Sequence, residues 1–233
     1  MLGKYQIEYN GYTPENFGAF LPDYPQISSA KRQYEAVAVP GMDGRLISTD
    51  DYYDNITVSC TISVIHKKLL YRMDELKRWL RGTGRLRLSD MQDRYLEVLA
   101  VDTEGLERKL RQYGTFTVEF ICYPYQFMNT GDVEIDCNEL RFNPFDRCKP
   151  VYRIIGNGTC TINVNGKTLT TTIGEELTID SRRMIAYKQR DTEWLNTSVT
   201  GDYEDLWLAS GKQEISVSDG FELKIKPYWG WIA

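Results

Sequence analysis

The chain has 233 residues, 42% of them hydrophobic and 26% charged, with a formal net charge of −5. That length suits two domains that each bury a core, and no apolar run approaches the roughly 20 residues that span a bilayer. Residues 1–130 hold 16 basic and 17 acidic side chains and residues 131–233 hold 12 and 16, so neither half has the positive excess of a nucleic-acid binder. The opening MLGKYQIEYN lacks the apolar centre of a signal peptide, which predicts synthesis and folding in a cytoplasm.

Patterning in the first half predicts strands over 4–9, 34–39, 56–65, 85–89, 94–101 and 107–122. The 56–65 run alternates cleanly. Ile56, Val58, Cys60, Ile62 and Val64 share one face, and Thr57, Ser59, Thr61 and Ser63 share the other. Before it, VPGMDGRLISTDDYYDN reads as a glycine-turned loop rich in Asp43, Asp50, Asp51 and Asp54. After it, HKKLLYRMDELKRWLRGTG predicts one amphipathic helix within 66–84. Leu69, Met73, Leu76 and Leu80 form its apolar stripe, Asp74 and Arg78 an i,i+4 ion pair, and Gly82 and Gly84 its stop signals. GTFTVEFICYP is a closing strand that Pro124 is expected to end, and regular patterning lapses near residue 130.

The second half reads as all-β. TCTINVNGKTLTT places Asn165-Gly166 between two alternating runs, the strongest short hairpin signal in the chain. Further strands at 175–179, 183–188, 213–217 and 221–227, separated by IDSRR, SGKQ and SDGF, predict a compact β-sandwich.

Candidate chemistry is sparse. Cys60, Cys122, Cys137, Cys148 and Cys160 are odd in number and form no CxxC, so they read as reduced, structural thiols. The one histidine, His66, sits where strand meets helix and suits a partial cap better than a catalytic base. No G-x-S-x-G or papain-type context surrounds a nucleophile, and DDYYDN does not match an EF-hand. GNGTC and GTGRL lack the GK[ST] ending of a phosphate loop. No catalytic residue, cofactor or metal is therefore expected. From Lys67 to Leu88, eight basic residues face two acidic ones, a pattern that suits a solvated face or a protein contact. Trp207, Trp229 and Trp231 suit core or rim packing, with a sugar-stacking platform as the alternative.

The order of these features resembles the siphophage distal tail protein family. The resemblance rests on the PGMDG turn before a long strand and on the closing VEFICYPY. It continues through NPFDRCKPVYRIIGNGTCTINVNG, LTIDSRRMIAY, GDYEDLWLASGKQEI and the terminal LKIKPYWGWI. Phe145 stands where the family's NPG pattern has glycine, and Ser210-Gly211 replaces a Pro-Gly, both at turns. The resemblance implies a mostly β protein. Residues 1–130 would be a β-barrel-like, tail-tube-like, ring-forming domain with one packed helix, and residues 131–233 a galectin-like β-sandwich.

It also implies a virion protein of the tail tip: a homo-oligomer, a hexameric ring, that joins the tail tube protein to the tail-associated hub protein and to receptor-binding or baseplate proteins. DNA would pass through the channel without specific binding, and no part would insert in a membrane. On that reading Asp43, Arg45, Asp50, Asp51 and Asp54 are the expected subunit contact. A lectin-like module using Trp207, Trp229 and Trp231 in host-surface recognition is the rival, and a cell-wall hydrolase built on His66 a more distant one.

Overall fold

The computed structural model describes residues 5–105, 107–188 and 193–233. The chain divides into two compact units. The first runs to Gln126 and takes back Ile232–Ala233, and the second spans Phe127–Trp231. Among the described residues the fold is mostly β with one α-helix, as the patterning predicts.

The first unit is organised by one antiparallel ladder. The closing strand, Tyr113–Met128, pairs with Ile56–Ile65 in unbroken register from Tyr113↔Ile65 to Cys122↔Ile56. Residues opposite one another on paired strands point to the same face. Val118, Phe120 and Cys122 therefore join Ile56, Val58 and Cys60 on the inner face, all buried. Gly84–Leu88, Met91–Thr103 and the edge strand Ile7–Tyr9 extend the same sheet on the other side of the closing strand.

The helix, Leu69–Trp79, lays its buried Leu69, Met73 and Leu76 on that core, with Leu80 capping it through a 2.9 Å bond from its N–H to the Leu76 carbonyl. Fully buried Tyr9 ties the ends of the unit together. Its hydroxyl donates to the Gly82 carbonyl, its own carbonyl accepts from Trp79 Nε1, both at 2.9 Å, and its ring lies 5.3 Å from that of Phe120. The helical ion pair is Arg72–Glu75 at 2.7 Å. The expected Asp74–Arg78 pair is replaced by a bond from Arg78 Nε to the Asp74 carbonyl.

Three expectations change. Residues 46–53, read as loop, form a strand, Leu46–Tyr53, that pairs with Arg32–Val37 in a two-stranded sheet of its own. The single strand predicted over 107–122 is a hairpin, Glu107–Leu110 returning into Tyr113–Met128. Pro124 does not end that strand. The ladder to Ile56–Ile65 stops at Cys122, so the missing N–H of Pro124 is not needed there, and its carbonyl accepts from the Ala233 N–H at 3.0 Å.

The second unit is built on the long hairpin Val151–Val164 and Lys167–Asp180, in register over its whole length. Asn165 and Gly166 both have positive φ, 53° and 86°, the type I′ geometry whose twist matches the strands. Glu222–Lys226 and Ile215–Val217 pair on one side of the hairpin and Ile185–Lys188 on the other. A small second sheet joins Phe142–Asn143 to Gly211–Lys212. Gly156 has no substitute here, because a Cβ would fall 2.3 Å from the Phe221 ring.

The second unit takes its first residues from before the lapse in patterning. Phe127 is buried, the Met128 N–H donates to the Trp229 carbonyl at 3.0 Å, and Trp229 Nε1 donates to Thr130 Oγ1 at 3.2 Å. Expressed alone, residues 127–231 are expected to melt cooperatively, whereas residues 131–231 lose about 2–4 kcal/mol of stability from these contacts. Urea unfolding of the two fragments, followed by circular dichroism, checks this. Equal midpoints would contradict it.

Candidate interaction surfaces

The arm formed by Arg32–Val37 and Leu46–Tyr53 is held at its base and bare beyond it. The Asp54 N–H donates to the Lys31 carbonyl at 2.9 Å, Asp54 Oδ1 accepts from Gln33 Nε2 at 2.6 Å, and the Tyr53 ring meets Tyr125 edge-on at 6.5 Å. At its tip Val39-Pro40-Gly41-Met42 closes a turn, with a 3.2 Å bond from the Met42 N–H to the Val39 carbonyl. Proline at the second position and glycine at φ 81° in the third are the type II pattern.

From residue 31 to 48 every residue but Ala36 is exposed. Tyr34 is 66% exposed, Leu46 54% and Ile47 52%. The register puts Ala36 opposite Ile47 and Val37 opposite Leu46, so both faces of the ribbon carry apolar side chains. A two-stranded ribbon with neither face covered is marginal in water, and clustered exposed apolar chains mark an association surface.

Of the residues the sequence assigned to a subunit contact, Asp43 and Arg45 are exposed near the tip of this arm and Asp54 is exposed at its base. Asp50 and Asp51 lie within the Leu46–Tyr53 strand, and their side chains fall outside the described residues. Sequence reasoning named the charges and passed over the apolar chains beside them. The signal was present: VPGM is a turn flanked by two runs rich in β-branched and aromatic residues.

A second surface lies where the helix begins. The His66 N–H donates to the Gln112 carbonyl at 2.9 Å, which holds the 107–113 hairpin tip against the start of the helix, and His66 Nδ1 accepts the Lys68 N–H at 3.0 Å. His66 thus acts locally on backbone.

In the second unit the three tryptophans have distinct surroundings. The Trp229 and Trp231 rings lie 6.0 and 5.4 Å from Phe145. Trp207 instead carries Lys149 Nζ at 4.3 Å and the Arg147 guanidinium at 5.0 Å over its ring, while its Nε1 donates to the Ser181 carbonyl. Burial and the neighbouring Arg147 hold the Lys149 ammonium below its usual pKa. Buried Asn143, which sequence reasoning missed, pins the turn before Phe145. Its Nδ2 donates to the Asp146 and Ala209 carbonyls, and its Oδ1 accepts the Phe145 N–H.

The five cysteines are free and buried. Burial pushes the Cys60, Cys122 and Cys148 thiols up to about 12, far from the range in which a thiolate attacks. Among the described residues, no group of three or more His, Cys, Asp or Glu side chains is placed to hold a metal ion.

Comparison with known proteins finds a likeness over part of the chain in sequence and over nearly all of it in fold. The phage tail protein RIFT-related domain family matches residues 14–122, the stretch that contains the arm, the helix and most of the closing strand. The fold matches the crystal structure of the phage SPP1 Dit protein, gp 19.1, with a TM-score of 0.63 at 12% identity over 96% of this chain and 98% of that one. That protein is described as a paradigm of the hub adsorption apparatus in phages infecting Gram-positive bacteria. No curated protein sequence matches the chain.

Residues 14–122 thus match a phage tail protein domain, and the chain as a whole shares the fold of the Dit protein.

The buried thiols give a direct check. An alkylating reagent at pH 8 is expected to label less than one cysteine per native chain in an hour, and all five once the chain is unfolded in guanidinium. Rapid native labelling, read by intact mass, would contradict the burial.

Proposed function

We propose that this chain is the ring-forming hub of a siphophage tail tip. Several copies, six by analogy with the family, close around a channel through which DNA leaves the virion. The first unit makes the ring and meets the tail tube. The second unit offers contacts to the tail-associated hub protein and to receptor-binding or baseplate proteins. The chain is made in the host cytoplasm and works in the assembled tail.

The observation that carries this reading is the arm. Its exposed apolar chains have no cover within the described chain, and a contact with a second copy supplies that cover. The charged group Asp43, Arg45, Asp50, Asp51 and Asp54 belongs to the same contact. Identical subunits joined head to tail generate closed rings when the rotation between them closes.

Carbohydrate recognition through Trp207, Trp229 and Trp231 has less support. A stacking platform needs bare ring faces. The Trp207 ring carries two cations, and Phe145 packs beside both Trp229 and Trp231. Binding of the second unit to a glycan array would restore that reading.

The arm supplies the test. The triple variant Tyr34→Ser, Leu46→Ser, Ile47→Ser removes exposed apolar surface and is expected to change subunit stability by no more than about 1 kcal/mol. It is also expected to shift light-scattering mass from ring to monomer at concentrations where the unsubstituted chain is assembled. Replacing Asp50, Asp51 and Asp54 by Asn acts in the same direction, more weakly. Rings that survive the Ser variant unchanged, in mass and in electron-microscope class averages, would sink the arm as the subunit contact.

A further inference from the structure

The arm and the start of the helix stand at opposite ends of one strand. The arm returns through Tyr53 into Ile56, and Ile56–Ile65 runs on to His66 and the helix. Ten extended residues separate the two ends by about 30 Å. The two ends also differ in charge. Residues 32–54 of the arm carry Glu35, Asp43, Asp50, Asp51 and Asp54 against Arg32 and Arg45. At the other end, segments 65–71 and 107–112 carry Lys67, Lys68, Arg108, Lys109 and Arg111 against Glu107 alone, and each of these six is exposed.

That basic end has an apolar centre. Ile65, Tyr113 and Leu110 are cross-strand neighbours, Tyr113 being paired with both of the others. Ile65 is 59% exposed and Leu110 69%, while Leu70 and Tyr71 of the helix's first turn are 63% and 57% exposed. The end is also firmly built. The Gln112 carbonyl accepts the His66 N–H, and Arg108 Nη2 donates to the Arg111 carbonyl at 3.0 Å across the hairpin tip. It is an ordered surface: apolar in the middle, basic at the rim. The arm is its complement, apolar on both faces and acidic.

We infer that the arm of one copy docks on the basic end of the next copy, at Ile65, Leu70, Tyr71 and Leu110, with Lys67, Lys68, Arg108, Lys109 and Arg111 facing the arm's carboxylates. This rests on the ring reading above and adds the partner site of the arm and the polarity of the contact. An arm-to-arm contact sets three excess negative charges against three, and an end-to-end contact sets four positive against four. Only the head-to-tail contact sets opposite signs together, and charge complementarity of this kind selects register and rejects wrong pairings. The choice is therefore heterologous, the geometry that closes rings.

Two charge-reversed full-length chains test it. One carries Lys67→Glu, Lys68→Glu and Arg111→Glu, so arm and end are both negative. The other carries Glu35→Lys and Asp43→Lys, which makes the arm net positive. Each alone is expected to need at least tenfold higher concentration for half-assembly by light scattering, with a circular-dichroism melt like that of the unsubstituted chain. Mixed in equal amounts, the two are expected to regain assembly, because the negative arm of the first meets the positive end of the second and the positive arm of the second meets the negative end of the first.

Reversed-end chains that assemble as well as the unsubstituted chain would overturn the docking site while leaving the ring reading intact, and would assign the basic end to a different partner. Impaired singles with no recovery on mixing would overturn the pairing in the same way. An unsubstituted chain that stays monomeric at every concentration would remove both the ring and this contact.

Discussion

The ladder between Ile56–Ile65 and Tyr113–Met128 is the constraint on which the first unit depends. A one-residue slip in that register would turn Val58, Cys60, Val118 and Phe120 from the core to the outer face, so burial fixes it strongly. Everything placed for contact follows from it. At one end the ladder brings Ile65, Tyr113 and Leu110 into a row and seats the start of the helix. At the other end it anchors the strand into which the arm returns. The hydrophobic period of two thus sets the spacing between two surfaces that carry no such period themselves.

That explains which parts were legible in the sequence. The 56–65 strand, the helix and the Asn165-Gly166 hairpin were readable because each has one face in a core, and a half-buried element writes its period into the chain. The arm has no buried face. In LISTDDYY, apolar and acidic residues follow one another without alternation, so the strand looked like a loop. Its strand character comes from pairing with Arg32–Val37, a tertiary fact. The same reasoning failed at Pro124, where a proline marked the end of one strand partner and was read as the end of the strand itself.

In the candidate surfaces, sequence reasoning found charges more readily than apolar chains. Asp43, Arg45 and Asp54 were singled out because acids cluster there, and all three are exposed. Tyr34, Leu46 and Ile47 were not, since an apolar residue is assigned to a core by default. The tryptophans show the reverse. Three of them near the end of a β-domain suggest a platform, but the Lys149 and Arg147 cations over Trp207, and Phe145 beside Trp229 and Trp231, depend on side-chain directions that spacing does not reveal.

A chain that assembles through the proposed contact must remain soluble as a single copy and yet associate tightly with the next. The arm offers a physical way to meet both demands. Its apolar chains are spread over two faces of a narrow ribbon among carboxylates, which opposes indiscriminate stacking of one arm on another by like-charge repulsion. A two-stranded ribbon draws little stability from its own hydrogen bonds and most of it from whatever covers a face. Docking on a surface already ordered by the His66–Gln112 bond would therefore stabilise the arm and the contact together. In a ring closed by the proposed contact, the cohesion of the ribbon and the closure of the ring would be one equilibrium, and a partly built ring with an undocked arm would be the least stable member of the series.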